Sequence, residues 1–139
     1  MKFNEKKGDL FQLDANKYFF AHCISSDYAL GAGIAVDFQK RYNLKESLIK
    51  TGTGSYPELI TINNVFNLVT KKRCWNKPTY ESITKCIQYM RDMCVNCNIR
   101  YLAMPKIGCG LDRLQWSKVR EIIINEFQDL DIEIEVRYL

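Results

Sequence analysis

The sequence predicts an α/β fold in which one sheet is covered by helices on both faces. Three observations predict it. Short apolar runs of strand length alternate with segments whose apolar residues recur at three- and four-residue spacing. Two glycine-carrying loops, Gly31-Ala32-Gly33 and Gly108-Cys109-Gly110, follow such runs, at the place where α/β folds put their ligand sites. The 139 residues carry no Pro/Gly/Ser-rich linker, low-complexity tract or internal repeat, so a single domain over 1–139 is expected.

The first predicted strand is Tyr18 to Ile24, an apolar run ended by Ser25-Ser26-Asp27. After Gly31-Ala32-Gly33 a helix runs from Ile34 to Tyr42, with Ile34, Phe38 and Tyr42 on one face. A second short helix spans Leu44 to Ile49, and Thr51 to Pro57 reads as a loop. Leu59 to Ile62 and Val65 to Val69 are two strands around a turn at Asn63-Asn64. The clearest helix follows a Pro78-Thr79 start signal: Tyr80, Ile83, Ile87, Met90, Cys94 and Cys97 are spaced by 3, 4, 3, 4 and 3 residues. Tyr101 to Met104 is a short strand, and Trp116, Val119, Ile123 and Phe127 mark the last helix. Ile132, Ile134, Val136 and Tyr138 alternate as a closing strand.

Composition removes several classes. Apolar residues make up 47% and charged residues 26%, as in ordinary soluble domains. No apolar run approaches the roughly 20 residues of a membrane span, and Met1 to Gly8 has no signal-peptide core. A cytoplasmic protein is therefore expected, with its six cysteines as free thiols. A net charge of +4 suits an anionic ligand but falls short of a dedicated nucleic-acid binder.

The chemistry-bearing residues leave alternatives open. The glycines either let backbone approach phosphate oxygens or serve turn geometry alone. Neither loop matches the P-loop or the full dinucleotide fingerprint, which argues against a kinase, an NTPase and a nicotinamide dehydrogenase. Lys71, beside Lys72 and Arg73, is either an amine made nucleophilic by neighbouring cations or part of a solvated charge cluster. Asp112 could act as a base, accept from a ribose hydroxyl, cap a helix or pair with Arg113. Cys94 and Cys97 resemble a zinc or redox half-site, but both continue the apolar helix face and read as core. His22 lies inside an apolar strand and reads as a core histidine. No metal site or cofactor is expected.

Six stretches together resemble a known family. They are Gly8-Asp9-Leu10-Phe11, Ala21 to Ser25, Gly31 to Val36, Thr70 to Arg73, Lys77 to Glu81, and Met104 to Trp116. In that order the chain is similar to the macrodomain called terminal ADP-ribose protein glycohydrolase, whose branch includes bacterial DNA ADP-ribosyl glycohydrolase antitoxins. The resemblance spans essentially the whole chain, and its thirteen-residue last stretch is the most specific part.

The resemblance implies a three-layer α/β/α fold around a mixed sheet, with ADP-ribose across its crest. Asp9 would bind the adenine amino group, with Leu10 beside it and Leu139 closing that end. Gly31, Ala32, Gly33 and Ile34, with Lys106, Ile107, Gly108, Cys109, Gly110 and Leu111, would wrap the pyrophosphate and distal ribose, with Ser25 nearby. Lys71 matches the family's nucleophilic lysine and Asp112 its catalytic aspartate. Most hydrolytic macrodomains carry an Asn-rich segment and a triple glycine where this chain has Ala21 to Ser25 and Gly31-Ala32-Gly33. That difference implies the lysine route rather than a substrate-assisted water. Nothing carries over to the residues between Thr51 and Asn64.

The implied activity is release of ADP-ribose from Glu- or Asp-linked protein, or from O-acetyl-ADP-ribose. ADP-ribosylated protein is then the partner and the chain a monomer that does not engage membranes. Two alternatives remain at this level: a reader that binds without turnover, and a hydrolase acting on ADP-ribosylated nucleic acid. A cysteine-based redox protein would rest only on Cys94 and Cys97.

Overall fold

The computed structural model describes all residues, 1–139. Its strands are β1 (Lys2–Lys7), β2 (Phe19–Ser25), β3 (Glu58–Ile62), β4 (Val65–Lys71), β5 (Tyr101–Met104) and β6 (Glu133–Tyr138). Its helices are α1 (Ile34–Tyr42), α2 (Lys45–Thr51), α3 (Tyr80–Asn96) and α4 (Trp116–Phe127). The sheet order is β1-β6-β5-β2-β4-β3, and every neighbouring pair is parallel except antiparallel β3 and β4. The sheet is therefore mixed, as expected.

Strand alternation sorts the side chains into two cores. Phe20 and Ile24 of β2 and Val65 and Val69 of β4 pack with Phe38 of α1 and Leu48 of α2. Ala21 of β2, Phe66 and Leu68 of β4, and Ile134 and Val136 of β6 meet α3 and α4 through Ile83, Ile87, Val119 and Ile123. Helices on both faces give the α/β/α layering. His22 belongs to the first core. It is fully buried, stacks on Phe38 with ring centroids 4.0 Å apart, and its Nε2–H meets Asn67 Oδ1 at 2.6 Å. Burial pushes its pKa down to about 4, against a smaller opposing pull from the Asn67 hydrogen bond.

Local chemistry sets the helix ends. Thr79 caps α3 in a reciprocal capping box with Ser82. Gly33 starts α1 at φ +61°, a conformation that side-chain-bearing residues rarely adopt. Asn43 ends α1 in the left-handed region, its N–H donating to Gln39 O.

Several expectations shift. β1 is absent from the sequence reading, because Lys2-Phe3-Asn4-Glu5-Lys6-Lys7 is too polar to show a strand pattern. Backbone pairing with β6 makes it a strand, which helps explain how a polar segment can sit at a sheet edge. Residues Leu10–Gln12 form a single 3-10 turn. Cys94 is buried as expected, whereas Cys97 is exposed: α3 ends at Asn96 and Cys97 is its C-cap. All six thiols are free. No helix is long and apolar enough to cross a membrane.

Candidate active site

β2, β4 and β5 run parallel, so Ser25, Lys71 and Met104 come to the same rim of the sheet. A cavity of about 490 Å³ opens there, within the range of small-molecule sites. One wall is the β2–α1 loop with Leu30 and Gly31 to Ala35; the other is the β5–α4 loop from Pro105 to Asp112. The first loop feeds directly into α1. The second does not reach its helix, because α4 begins only at Trp116.

Lys71 enters the cavity because of a slip in strand register. Phe20 to Ile24 pair one to one with Val65 to Val69, but Ser25 then pairs with Lys71 and Thr70 is skipped. Such a bulge re-aims the following side chain. Lys71 thus shares Ser25's side of the sheet, where Cys23 also points. Its Nζ donates to Asp112 Oδ1 at 2.6 Å, and the two side chains are only 12% and 14% exposed. The Asp112 carboxylate therefore meets Lys71 rather than Arg113 or a helix N-terminus. Lys72 and Arg73 are exposed, as in the solvated-cluster alternative, and the charged partner held against the Lys71 ammonium is a carboxylate rather than a neighbouring cation.

Two thiols stand beside this pair. Burial raises the pKa of Cys23, and burial pushes that of Cys109 up to about 11. Both remain protonated at neutral pH and are poor nucleophiles. At the mouth, Lys77 Nζ donates to Leu111 O at 2.6 Å, tying the loop after β4 to the loop after β5. Trp75 on that loop is 73% exposed. No group of three or more His, Cys, Asp or Glu side chains is arranged to hold a metal ion.

Ser25, Gly31 to Ile34, Lys71, Lys106 to Leu111 and Asp112 all line the cavity. Asp9, Leu10 and Leu139 do not. The Asp9 carboxylate accepts from Phe11 N–H at 3.0 Å and caps the 3-10 turn, Leu10 is buried in the core, and Leu139 is 95% exposed. Sequence reading missed Cys23, Ile24, Leu30, Ala35, Cys74, Trp75, Lys77 and Pro105 as lining residues. Two signals could have found some of them. Cys23 lies two residues before Ser25 on the same strand face, and Cys74 to Lys77 continue the loop that Lys71 begins.

A glycine-walled cavity at the carboxyl ends of parallel strands places the protein among α/β ligand-binding domains. A sequence profile of the Macro domain matches residues 34–123, and the chain belongs to the Macro domain family. It is 41% identical over 133 residues to the ADP-ribose glycohydrolase OARD1 of Homo sapiens, covering 94% of this chain and 87% of the relative. The DNA ADP-ribosyl glycohydrolase of Mycobacterium tuberculosis is 24% identical over 140 residues, covering 88% of this chain and 38% of that protein. Among solved structures, the macrodomain of Mycobacterium tuberculosis DarG superposes with a TM-score of 0.86 at 21% identity, covering 99% of this chain and 97% of that one.

Proposed function

We propose that the protein binds ADP-ribose in this cavity and hydrolyses it from modified acceptors, with Lys71 as nucleophile and Asp112 as proton carrier. The single observation that carries the reading is the 2.6 Å contact between Lys71 Nζ and Asp112 Oδ1 inside a glycine-walled cavity. A reader of ADP-ribose has no need of a shielded amine–carboxylate pair. The 41% identical relative named ADP-ribose glycohydrolase supports the activity, and a Thermosipho africanus DarTG structure in complex with ADP-ribose supports the ligand. Residues 1–139 are taken to act as one unit, without cofactor and as a monomer.

In this reading Gly31 to Ile34 and Lys106 to Leu111 enclose the pyrophosphate and distal ribose. Asp9, Leu10 and Leu139 serve the adenine end, outside the cavity. The Lys71 proton passes to Asp112 along their hydrogen bond. The neutral amine attacks the anomeric carbon of the distal ribose, an N–C bond forms, and the C–O bond to an acceptor Glu or Asp carboxylate breaks. Asp112 gives its proton to the departing carboxylate and takes one from the new ammonium. Ring opening converts the adduct to an imine, the ring oxygen gaining a proton. Water then adds to the imine carbon, and loss of the amine leaves free ADP-ribose and restores Lys71. Two easier steps replace one substitution. The neighbouring thiols do not compete, because burial keeps Cys23 and Cys109 protonated.

Lys71→Ala should abolish release from a glutamate-linked substrate while ADP-ribose still binds, and borohydride added during turnover should trap an adduct only in the wild type. Continued release by Lys71→Ala refutes the assignment, and binding without turnover in the wild type marks a reader. The mouth favours a second acceptor class. Exposed Trp75, next to exposed Lys72 and Arg73, suits a base and its phosphate. Release from modified DNA but not from modified protein would select it.

A further inference from the structure

One carboxylate beside the cavity ties the end of β2 and its following loop to the loop after β4, and neither the ion pair nor the ligand walls use it. Asp27 Oδ1 accepts from Ser25 Oγ–H at 2.5 Å and from Ala29 N–H at 3.2 Å, and Asp27 Oδ2 accepts from Cys74 N–H at 2.9 Å. Ser25 ends β2, Ala29 leads into the Gly31 to Gly33 wall, and Cys74 lies three residues beyond Lys71. The adjacent Ser26 completes the join: its N–H donates to Lys71 O at 2.9 Å and its Oγ–H to Lys72 O at 2.7 Å. Every donor to Asp27 is neutral. A carboxylate enclosed in this way positions backbone without cancelling a charge.

The segment it organises is conformationally costly. Tyr28 and Leu30, on either side of Ala29, have φ of +53° and +48°, and non-glycine residues hold such angles only where their surroundings fix them. Tyr28 N–H donates to Ser25 O at 3.0 Å, and the Tyr28 hydroxyl accepts from Gly54 N–H at 3.1 Å. Asp27 therefore sits where a strained ligand wall meets the strand end that presents Lys71. It also commits the Ser25 proton, leaving the lone pairs of that cavity-lining hydroxyl to accept from a ligand.

We infer that Asp27 is a positioning residue for this site: it clasps the Ala29 to Gly33 wall to the Lys71 to Cys74 turn, so that the amine meets the sugar in register. The inference rests on the hydrolase reading. Burial alone would raise the Asp27 pKa, but the hydrogen bonds from Ser25, Cys74 and Ala29 more than reverse this and hold it below the usual carboxylate range. That direction fits a carboxylate ionised for its donors. Asp27→Asn keeps the shape but turns one acceptor into a donor that faces either Cys74 N–H or Ala29 N–H, neither of which can turn to accept.

Amide hydrogen exchange and single-turnover kinetics together test the inference. In the wild type the Ala29 and Cys74 amides should exchange at least about tenfold more slowly than unprotected amides. In Asp27→Asn the amide left facing the new NH2 group should speed up. The single-turnover rate on a glutamate-linked substrate should fall roughly 10- to 100-fold, the scale set by a misplacement of about 1 Å, a larger factor than the accompanying rise in the calorimetric Kd for free ADP-ribose. Unprotected amides in the wild type overturn the clasp without any variant, so a variant that fails to fold leaves the idea testable. Protected amides with an unchanged rate in Asp27→Asn overturn the positioning role alone, as do affinity and rate falling in equal measure. A wild type that turns over no substrate overturns the hydrolase reading, and the positioning role of Asp27 with it.

Discussion

The only histidine of the chain makes acid stability a sharp test of the core. His22 is fully buried, donates through Nε2 to Asn67, and leaves Nδ1 without a partner. Its pKa lies at about 4 in the fold, against the ordinary imidazole value of 6.5. Between those values the unfolded chain binds a proton that the folded chain refuses, so stability is complete above pH 6.5 and falls as pH drops toward 4. One unit is worth 1.36 kcal/mol, so the full loss is roughly 3 kcal/mol, of which roughly 2 kcal/mol is gone by pH 5. Such a loss is a large share of a domain's stability, which is on the order of 5–15 kcal/mol. Urea unfolding midpoints at pH 7, 6, 5 and 4.5 measure it, with His22→Gln as the reference that does not titrate. The wild-type midpoint should fall steeply over this window while that of His22→Gln stays nearly level. Parallel curves would refute the account, showing that the imidazole is hydrated or paired at Nδ1.

Three further outcomes follow from other contacts. Asp112→Asn should slow single-turnover release by about 10²–10⁴-fold, the usual worth of acid–base help, with little change in ADP-ribose affinity by calorimetry; a fall of less than tenfold would remove Asp112 from proton transfer. In Gly52→Ala the new methyl would collide with the Tyr28 hydroxyl and lie 2.8 Å from Leu48 O, so chemical denaturation should show a loss of about 1–3 kcal/mol. Cys94→Ser places a hydroxyl in the core beneath α3 and should cost about 1–3 kcal/mol, whereas Cys97→Ser at the exposed helix end should stay within about 0.5 kcal/mol; equal effects would contradict their different burial.

What the sequence made legible follows from how local each signal is. α3 and α4 were legible because five apolar residues of α3 and four of α4 keep helical spacing, and Thr79 supplies a cap. β5 was legible because Tyr101 to Met104 is apolar and bounded by polar residues and a proline. β1 was not, because its identity comes from backbone bonds to β6, which lies 131 positions later at Asn4 and Glu135. The same division runs through the site. Glycine loops after strands are a local pattern, and both loops line the cavity. That Lys71 meets Asp112, 41 residues on, depends on a register slip and a long loop, which no periodicity encodes. Residue types alone left Lys71 between nucleophile and surface charge, and Asp112 between base and cap. Cys97 was misjudged because its spacing continues the α3 stripe one step past the last helical residue.

The skipped residue in β4 separates two chemically identical neighbours. Without Thr70 looping past the ladder, strict alternation would send Lys71 toward the α1 side of the sheet, away from Asp112. With it, one amine is shielded against a carboxylate while the next along the chain stays solvated. A swap that removes Lys71 therefore cannot be repaired by Lys72, since no side-chain rotation carries an ammonium around the strand. Shortening the strand by one position should be as damaging as deleting the amine itself, although every functional group would still be present in the composition.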